Sequence, residues 1–132
     1  MSEFNFKKFV KVGSKSGNNT ISFNGKSYSF GFNSVFYNKN QISKYKYVIL
    51  FYDDEKRAVA FQFTNDEDAK EAFTIVHGKS QSTGSVTAKS FILSNDINKP
   101  EYSGKKVPTT INDENLGELV VIKLLDENDQ QV

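Results

Sequence analysis

The stretch Thr20-Ile21-Ser22-Phe23-Asn24-Gly25-Lys26-Ser27-Tyr28-Ser29-Phe30-Gly31-Phe32 decides the fold class. Apolar and small polar residues alternate through residues 20–23 and 26–32, the period of a half-buried strand. Between them, Asn24-Gly25 is the strongest short-range hairpin signal, because a type I′ turn needs positive φ at both central positions. A two-residue turn sets Phe23 opposite Lys26 and Ile21 opposite Tyr28. One side then carries Ile21, Phe23, Tyr28, Phe30 and Phe32; the other carries Ser22, Ser27 and Ser29.

A second hairpin is expected from residues 45–52 and 57–64, around the polar cluster Asp53-Asp54-Glu55-Lys56. A four-residue loop pairs Tyr52 with Arg57, Leu50 with Val59 and Val48 with Phe61, giving one apolar face. The other face holds Tyr45, Tyr47, Ile49 and Phe51 across from Thr64, Gln62, Ala60 and Ala58. A hairpin apolar on both faces sits centrally or offers one face to a partner, and central burial is the expectation.

The remaining segments add short elements. Residues 34–42 suit a short helix or connector bearing Val35, Phe36 and Ile42. Asn65 reads as the N-cap of a helix of one or two turns, with Asp66, Glu67 and Asp68 where the helix dipole favours acids. Residues 9–12 and 73–76 read as extended and 13–19 as a loop. Residues 77–85 also read as a loop, Val86-Thr87 as a strand and 88–93 as a helix. Residues 95–106 form a loop, and the last strands, 107–111 and 118–125, flank a turn at 112–117. Residues 126–132 are an acidic tail, expected to fray. The fold class is therefore mostly β with minor α. One domain is expected over residues 1–125, a twisted antiparallel sheet or open barrel with one or two short helices.

Composition agrees. The chain has 132 residues, 37% of them hydrophobic, with 12 Phe, enough for one packed core and too short for two. The absence of cysteine excludes a disulfide scaffold, thiol catalysis and cysteine-ligated zinc. No apolar run approaches the ~20 residues of a membrane helix, and no apolar core of a cleavable signal follows Met1. The expectation is a cytoplasmic protein without membrane contact.

The net charge of +1 conceals an imbalance. Residues 1–52 hold eight lysines against Glu3 alone, together with 13 of the aromatic residues; residues 53–132 hold nine basic residues against fifteen acids. Either the halves neutralise each other across the fold, or a basic aromatic face meets phosphates and stacks on bases. Arg57 is the only guanidinium among the 17 basic residues. Lysine suits phosphate but reads base edges poorly, so nucleic-acid binding would be weakly sequence-specific. The abundance of Lys and Asn is also what an AT-rich coding sequence would produce.

Catalytic signals are missing. His77 is the only histidine, which precludes a His-pair metal site, and its place before Gly78 suggests a solvated loop residue. Gly25-Lys26-Ser27 and Gly78-Lys79-Ser80 lack the earlier glycine of a phosphate-binding loop, because Thr20 and Phe73 stand there. No Gly-x-Ser-x-Gly elbow and no Gly-x-Gly-x-x-Gly run occurs. The runs Asp53-Asp54-Glu55 and Asp66-Glu67-Asp68 could hold a hard cation, yet a turn and a helix start explain them. No enzyme activity, cofactor or metal is expected.

A recognition surface remains. Phe4, Phe6 and Phe9 interleave with Lys7, Lys8 and Lys11, and Lys44-Tyr45-Lys46-Tyr47 repeats the theme. The Phe residues are expected in the core, whereas Tyr tolerates partial exposure. The candidate site is Lys7, Lys8, Lys11, Lys44 and Lys46 on phosphate, with Tyr45 and Tyr47 as platforms on which each stacked base contributes ~1–3 kcal/mol.

Residues 25–63 also carry a family resemblance. Gly25-Lys26 opening a strand, Val35-Phe36, Ile42, Tyr47-Val48-Ile49-Leu50-Phe51-Tyr52-Asp53-Asp54-Glu55 and the returning Ala58-Val59-Ala60-Phe61 resemble the AbrB and MazE type of swapped-hairpin DNA-binding module. The resemblance implies a small dimeric β-barrel gripping DNA, or an antitoxin-like subunit. The chain departs from it in lacking the arginines such modules offer to DNA, leaving Lys26 and Lys39, and in having no counterpart beyond Thr64.

The leading expectation is a non-catalytic nucleic-acid-binding protein, with a preference for single strands as one form of it. The alternative is a small protein-binding inhibitor or accessory subunit of the mobile-element type. It would turn its acidic C-terminal half toward a basic protein partner. Either could act as a homodimer.

Overall fold

The structure, a computed structural model, describes residues 19–125. The expected strand at 9–12, nearly all of the loop after it and the acidic tail lie outside the described residues.

Three hairpins share one turn device. Strands β1 (Ile21–Asn24) and β2 (Ser29–Phe32) pair Ile21 with Phe32 and Phe23 with Phe30, so the loop is four residues long rather than Asn24-Gly25. The cause is Asn24: its Oδ1 accepts the amides of Lys26 at 2.9 Å and Ser27 at 3.2 Å. That Asx turn delays the positive φ to Tyr28, at 56°. The pairing moves by an even number of residues, so the apolar face survives; Lys26, Ser27 and Tyr28 leave the ladder, and of these only Tyr28 belonged to that face.

Strands β3 (Tyr47–Asp53) and β4 (Ala58–Thr64) repeat the device. Asp53 Oδ1 accepts the amides of Glu55 and Lys56, both at 3.1 Å, and Arg57 takes φ 53°. The loop therefore starts one residue later than expected, pairing Leu50 with Phe61 and Tyr52 with Val59, again with the faces preserved. In the third hairpin Asp113 Oδ1 accepts from Asn115 and Leu116, and Gly117 carries φ 88°. Each Asn or Asp is followed four residues later by the left-handed position.

Helix α1 (Ser34–Lys39) follows β2, its first turn capped by Asn33 Oδ1 on the Phe36 amide at 2.9 Å. A 3₁₀ turn, Ile42–Lys44, leads into β3. The expected helix after Asn65 does not form. The Asn65 side chain accepts from the Lys46 amide and donates to the Lys44 carbonyl, both at 2.8 Å. It is thereby spent on the entry to β3, and residues 65–72 run as turns and irregular chain. Helix α2 (Lys89–Ser94) follows buried Ala88, as its spacing suggested.

The short strands β5 (Phe73–Thr74) and β6 (Val76–His77) are two halves of one extended segment. With β7 (Gly84–Thr87), β8 (Gly104–Lys106), β9 (Thr109–Asp113) and β10 (Gly117–Lys123) they complete two antiparallel sheets. The first has the order β6-β7-β2-β1-β8 and the second β5-β3-β4-β10-β9. The chain passes between the sheets three times: through α1 and the 3₁₀ turn from β2 to β3, and at two corners, buried Ile75 linking β5 to β6, and Val107 and Pro108 linking β8 to β9. The ladders stop at these corners, so the molecule is a sandwich with two shared corners and not a closed barrel.

The sheets meet through aromatic rings. Phe30 and Phe32 of the first approach Phe61 of the second at 5.1 and 6.0 Å, edge to face, and Phe32 meets Phe63 at 5.5 Å. Val48, Leu50, Val59, Val120 and Ile122 fill the rest of the inner layer. Phe36, Tyr37, Ile42, Ile92 and Ile97 are also buried in this core, drawn from the helices and connections.

Candidate binding groove on the outer face of the second sheet

Strand alternation gives β3, β4, β9 and β10 a second face, turned away from the first sheet. Register aligns Phe51 with Ala60, Ala60 with Val121, and Leu119 with Ile111 on that face. The expected burial of the β3–β4 hairpin on both sides is only partial: on this face Leu119 is buried, while Ile49, Phe51, Ala58, Ala60 and Val121 stay partly exposed. The face forms a groove of about 840 Å³ whose floor includes Phe51, Ala58, Ala60, Leu119 and Val121. Val107, Ile111 and Leu116 edge it and stay 72%, 42% and 40% exposed.

Charge is gathered toward one end. Lys123 lies across from Ala58 beside the β3–β4 turn, and Lys56, Lys105 and Lys106 line the groove with it. The corner at Val107 and Pro108 brings the β8 lysines there. Lys106 lays its stem along the join between the sheets and donates from Nζ to the Leu124 carbonyl at 2.7 Å. Two acids line the groove as well, Asp53 and Asp113, each holding turn amides through Oδ1, so lysines outnumber carboxylates around it four to two. At the opposite end Gln62 Nε2 donates to the Leu116 carbonyl at 2.6 Å and fixes the β9–β10 turn. Tyr52 lies on the rim; burial, then the neighbouring Tyr102 and Asp54, push its phenol above the usual tyrosine range. The arrangement offers apolar contact area bordered by ammonium groups.

The residues singled out from sequence are not brought together. Lys7, Lys8 and Lys11 lie outside the described residues. Lys44 Nζ sits 3.0 Å from Gln41 Oε1 and 5.4 Å over the Tyr45 ring. Tyr45 packs on Phe63, ring centres 5.9 Å apart, on the core side of the second sheet. Lys46 pairs with Glu67 at 3.6 Å, both side chains largely exposed. Tyr47 lies half-buried on the opposite face, in line with Ile49 and Phe51. The two tyrosines thus occupy opposite sides of one sheet and share no stacking platform.

His77 also departs from expectation. It is half-buried in β6, with both ring nitrogens in hydrogen bonds, rather than solvated in a loop. The groove lysines escaped the sequence reading because they come from three separate segments. The double-sided apolar pattern of residues 47–61 and 119–122 was the signal that could have pointed to the groove. Comparison of the chain with protein-family models, with curated proteins and with solved structures finds no match in any of the three.

Proposed function

We propose that the protein is a non-catalytic, protein-binding subunit that holds a partner's acidic, apolar segment in the groove of the second sheet. One observation carries this reading: an open apolar sheet face bordered by lysines. Contiguous exposed apolar surface rimmed by polar residues marks interaction sites. The sign of the rim selects a partner with carboxylates, opposite to the basic partner that the acidic half of the sequence suggested. Charge of this kind steers association and fixes orientation, while the apolar floor supplies most of the affinity. The antitoxin-like subunit implied by the resemblance of residues 25–63 belongs to the same class, a protein that acts by binding another.

The test is a titration of the isotopically labelled full chain followed by amide chemical shifts, with three probes. A synthetic peptide alternating leucine and glutamate is expected to shift Phe51, Ala60 and Val121, with an affinity that falls as salt rises. The same peptide with lysine for glutamate is expected to bind at least about tenfold more weakly. Neither peptide moving the groove residues at millimolar concentration would overturn the proposal. Binding of a single-stranded oligonucleotide in preference to the acidic peptide would restore the nucleic-acid reading in its place.

A further inference from the structure

Strand β9 is an unguarded edge. It bonds to β10 on one side only, and on its other side no described residue pairs with it. Natural sheets blunt such edges with lysine, proline, bulges or very short strands. The other three edges follow that rule: β5 and β6 have two residues each, and β8 carries Lys105 and Lys106. Strand β9 is five residues long, its body Thr109-Thr110-Ile111-Asn112 is uncharged, and all four are exposed. Around it stand three of the large hydrophobic side chains left in solvent, Val107, Ile111 and Leu116.

We propose that two copies of the chain associate through β9, antiparallel about a two-fold axis at Ile111, so that the second sheet runs continuously through both protomers. A closed two-fold contact requires a self-complementary strand, and β9 has that character. The chain entering it is basic (Lys105, Lys106) and the chain leaving it is acidic (Asp113, Glu114). Antiparallel pairing sets Thr109 against the partner's Asp113 and Pro108 against the partner's Glu114, two residues along the chain from the basic entry at Lys106. Parallel pairing would put like charges together. Ile111 meets the partner's Ile111, and Val107 and Leu116 are drawn toward the seam. Unpaired backbone amides and carbonyls gain partners, as in strand addition at other sheet edges. Pairing occurs in the plane of the sheet, so the grooves stay open and become neighbours.

Sedimentation equilibrium of the full chain without any peptide tests this independently of groove binding. The expected result is a monomer–dimer equilibrium. Ile111→Lys places two ammonium groups opposite each other and is expected to weaken the dimer about tenfold or more. Glu114→Lys is expected to weaken it too, and Glu114→Lys with Lys105→Glu to restore it; circular dichroism checks that each variant is folded. A monomer mass at every concentration overturns the proposal, as does a dimer that Ile111→Lys leaves intact.

Discussion

The Tyr37 hydroxyl lies 2.7 Å from Nδ1 of His77, and the other ring nitrogen, Nε2, lies 2.9 Å from the Tyr45 carbonyl oxygen. A carbonyl can only accept, so in the neutral ring Nε2 carries the hydrogen and Nδ1 accepts from the phenol. This chain of bonds ties α1 to the sheet-switching segment and to the entry of β3. The Tyr37 ring reaches His77 by passing close over Gly84, where a Cβ would lie 3.1 Å from the ring edge.

Tyr37→Phe removes the phenol and leaves a partly buried imidazole nitrogen without its donor. The expected loss is ~1–3 kcal/mol, read from the midpoint of urea denaturation at unchanged m-value. His77→Ala is expected to cost at least as much, since it orphans both the phenol and the Tyr45 carbonyl. A double variant no worse than either single one would show that the three groups act as a unit.

Alkaline pH supplies a second test. Burial pushes the phenol of Tyr37 above its ordinary value, and burial with Tyr102 and Asp54 does the same for Tyr52. Below pH ~10 the folded and unfolded chains both hold these protons, and stability is unaffected. Above it the unfolded chain ionises first, so stability falls as pH rises from ~10 toward the folded-state values. Absorbance titration is expected to show Tyr37 and Tyr52 ionising later than a free phenol, and Tyr37→Phe to reduce the alkaline loss.

The shared turn device predicts a graded response. Asp53→Asn keeps an acceptor for the Glu55 and Lys56 amides and is expected to stay within ~0.5 kcal/mol of the parent. Asp53→Ala removes that acceptor and is expected to cost ~1 kcal/mol, by analogy with a lost helix cap. Gly117→Ala, at φ 88°, is expected to cost ~1–2 kcal/mol because a Cβ strains the left-handed position. Thermal melts of the three variants check the order.

At the sequence-derived patch, Lys46→Ala breaks only an exposed ion pair with Glu67. Its expected effect on stability is under ~1 kcal/mol. Phe61→Ala, at the meeting point of the two sheets, is expected to cost ~3–5 kcal/mol. Denaturant melts of both variants separate surface charge from core.

Element types were largely legible because alternation has a fixed period: Ile21, Phe23, Phe30 and Phe32 share the inward face for any loop whose length differs by an even number of residues. Register was not legible. Asn24-Gly25 suits a two-residue turn as a dipeptide, but the Asn24 side chain selects the longer loop. Asn65 likewise has the chemistry of a helix cap and spends it on residues about twenty positions earlier. The site was least legible of all. Lys44, Tyr45, Lys46 and Tyr47 are neighbours in sequence and point apart in space.

Local chemistry therefore determined that this chain builds β-hairpins and which residues face inward. Those choices depend on side-chain alternation within a few residues. Only the tertiary structure decided that two sheets share corners at Ile75 and at Val107-Pro108, and that lysines from β8, β10 and the β3–β4 turn converge on one open apolar face. Such convergence depends on strand order and on which edge turns the corner, and these are set by packing between residues far apart in the chain.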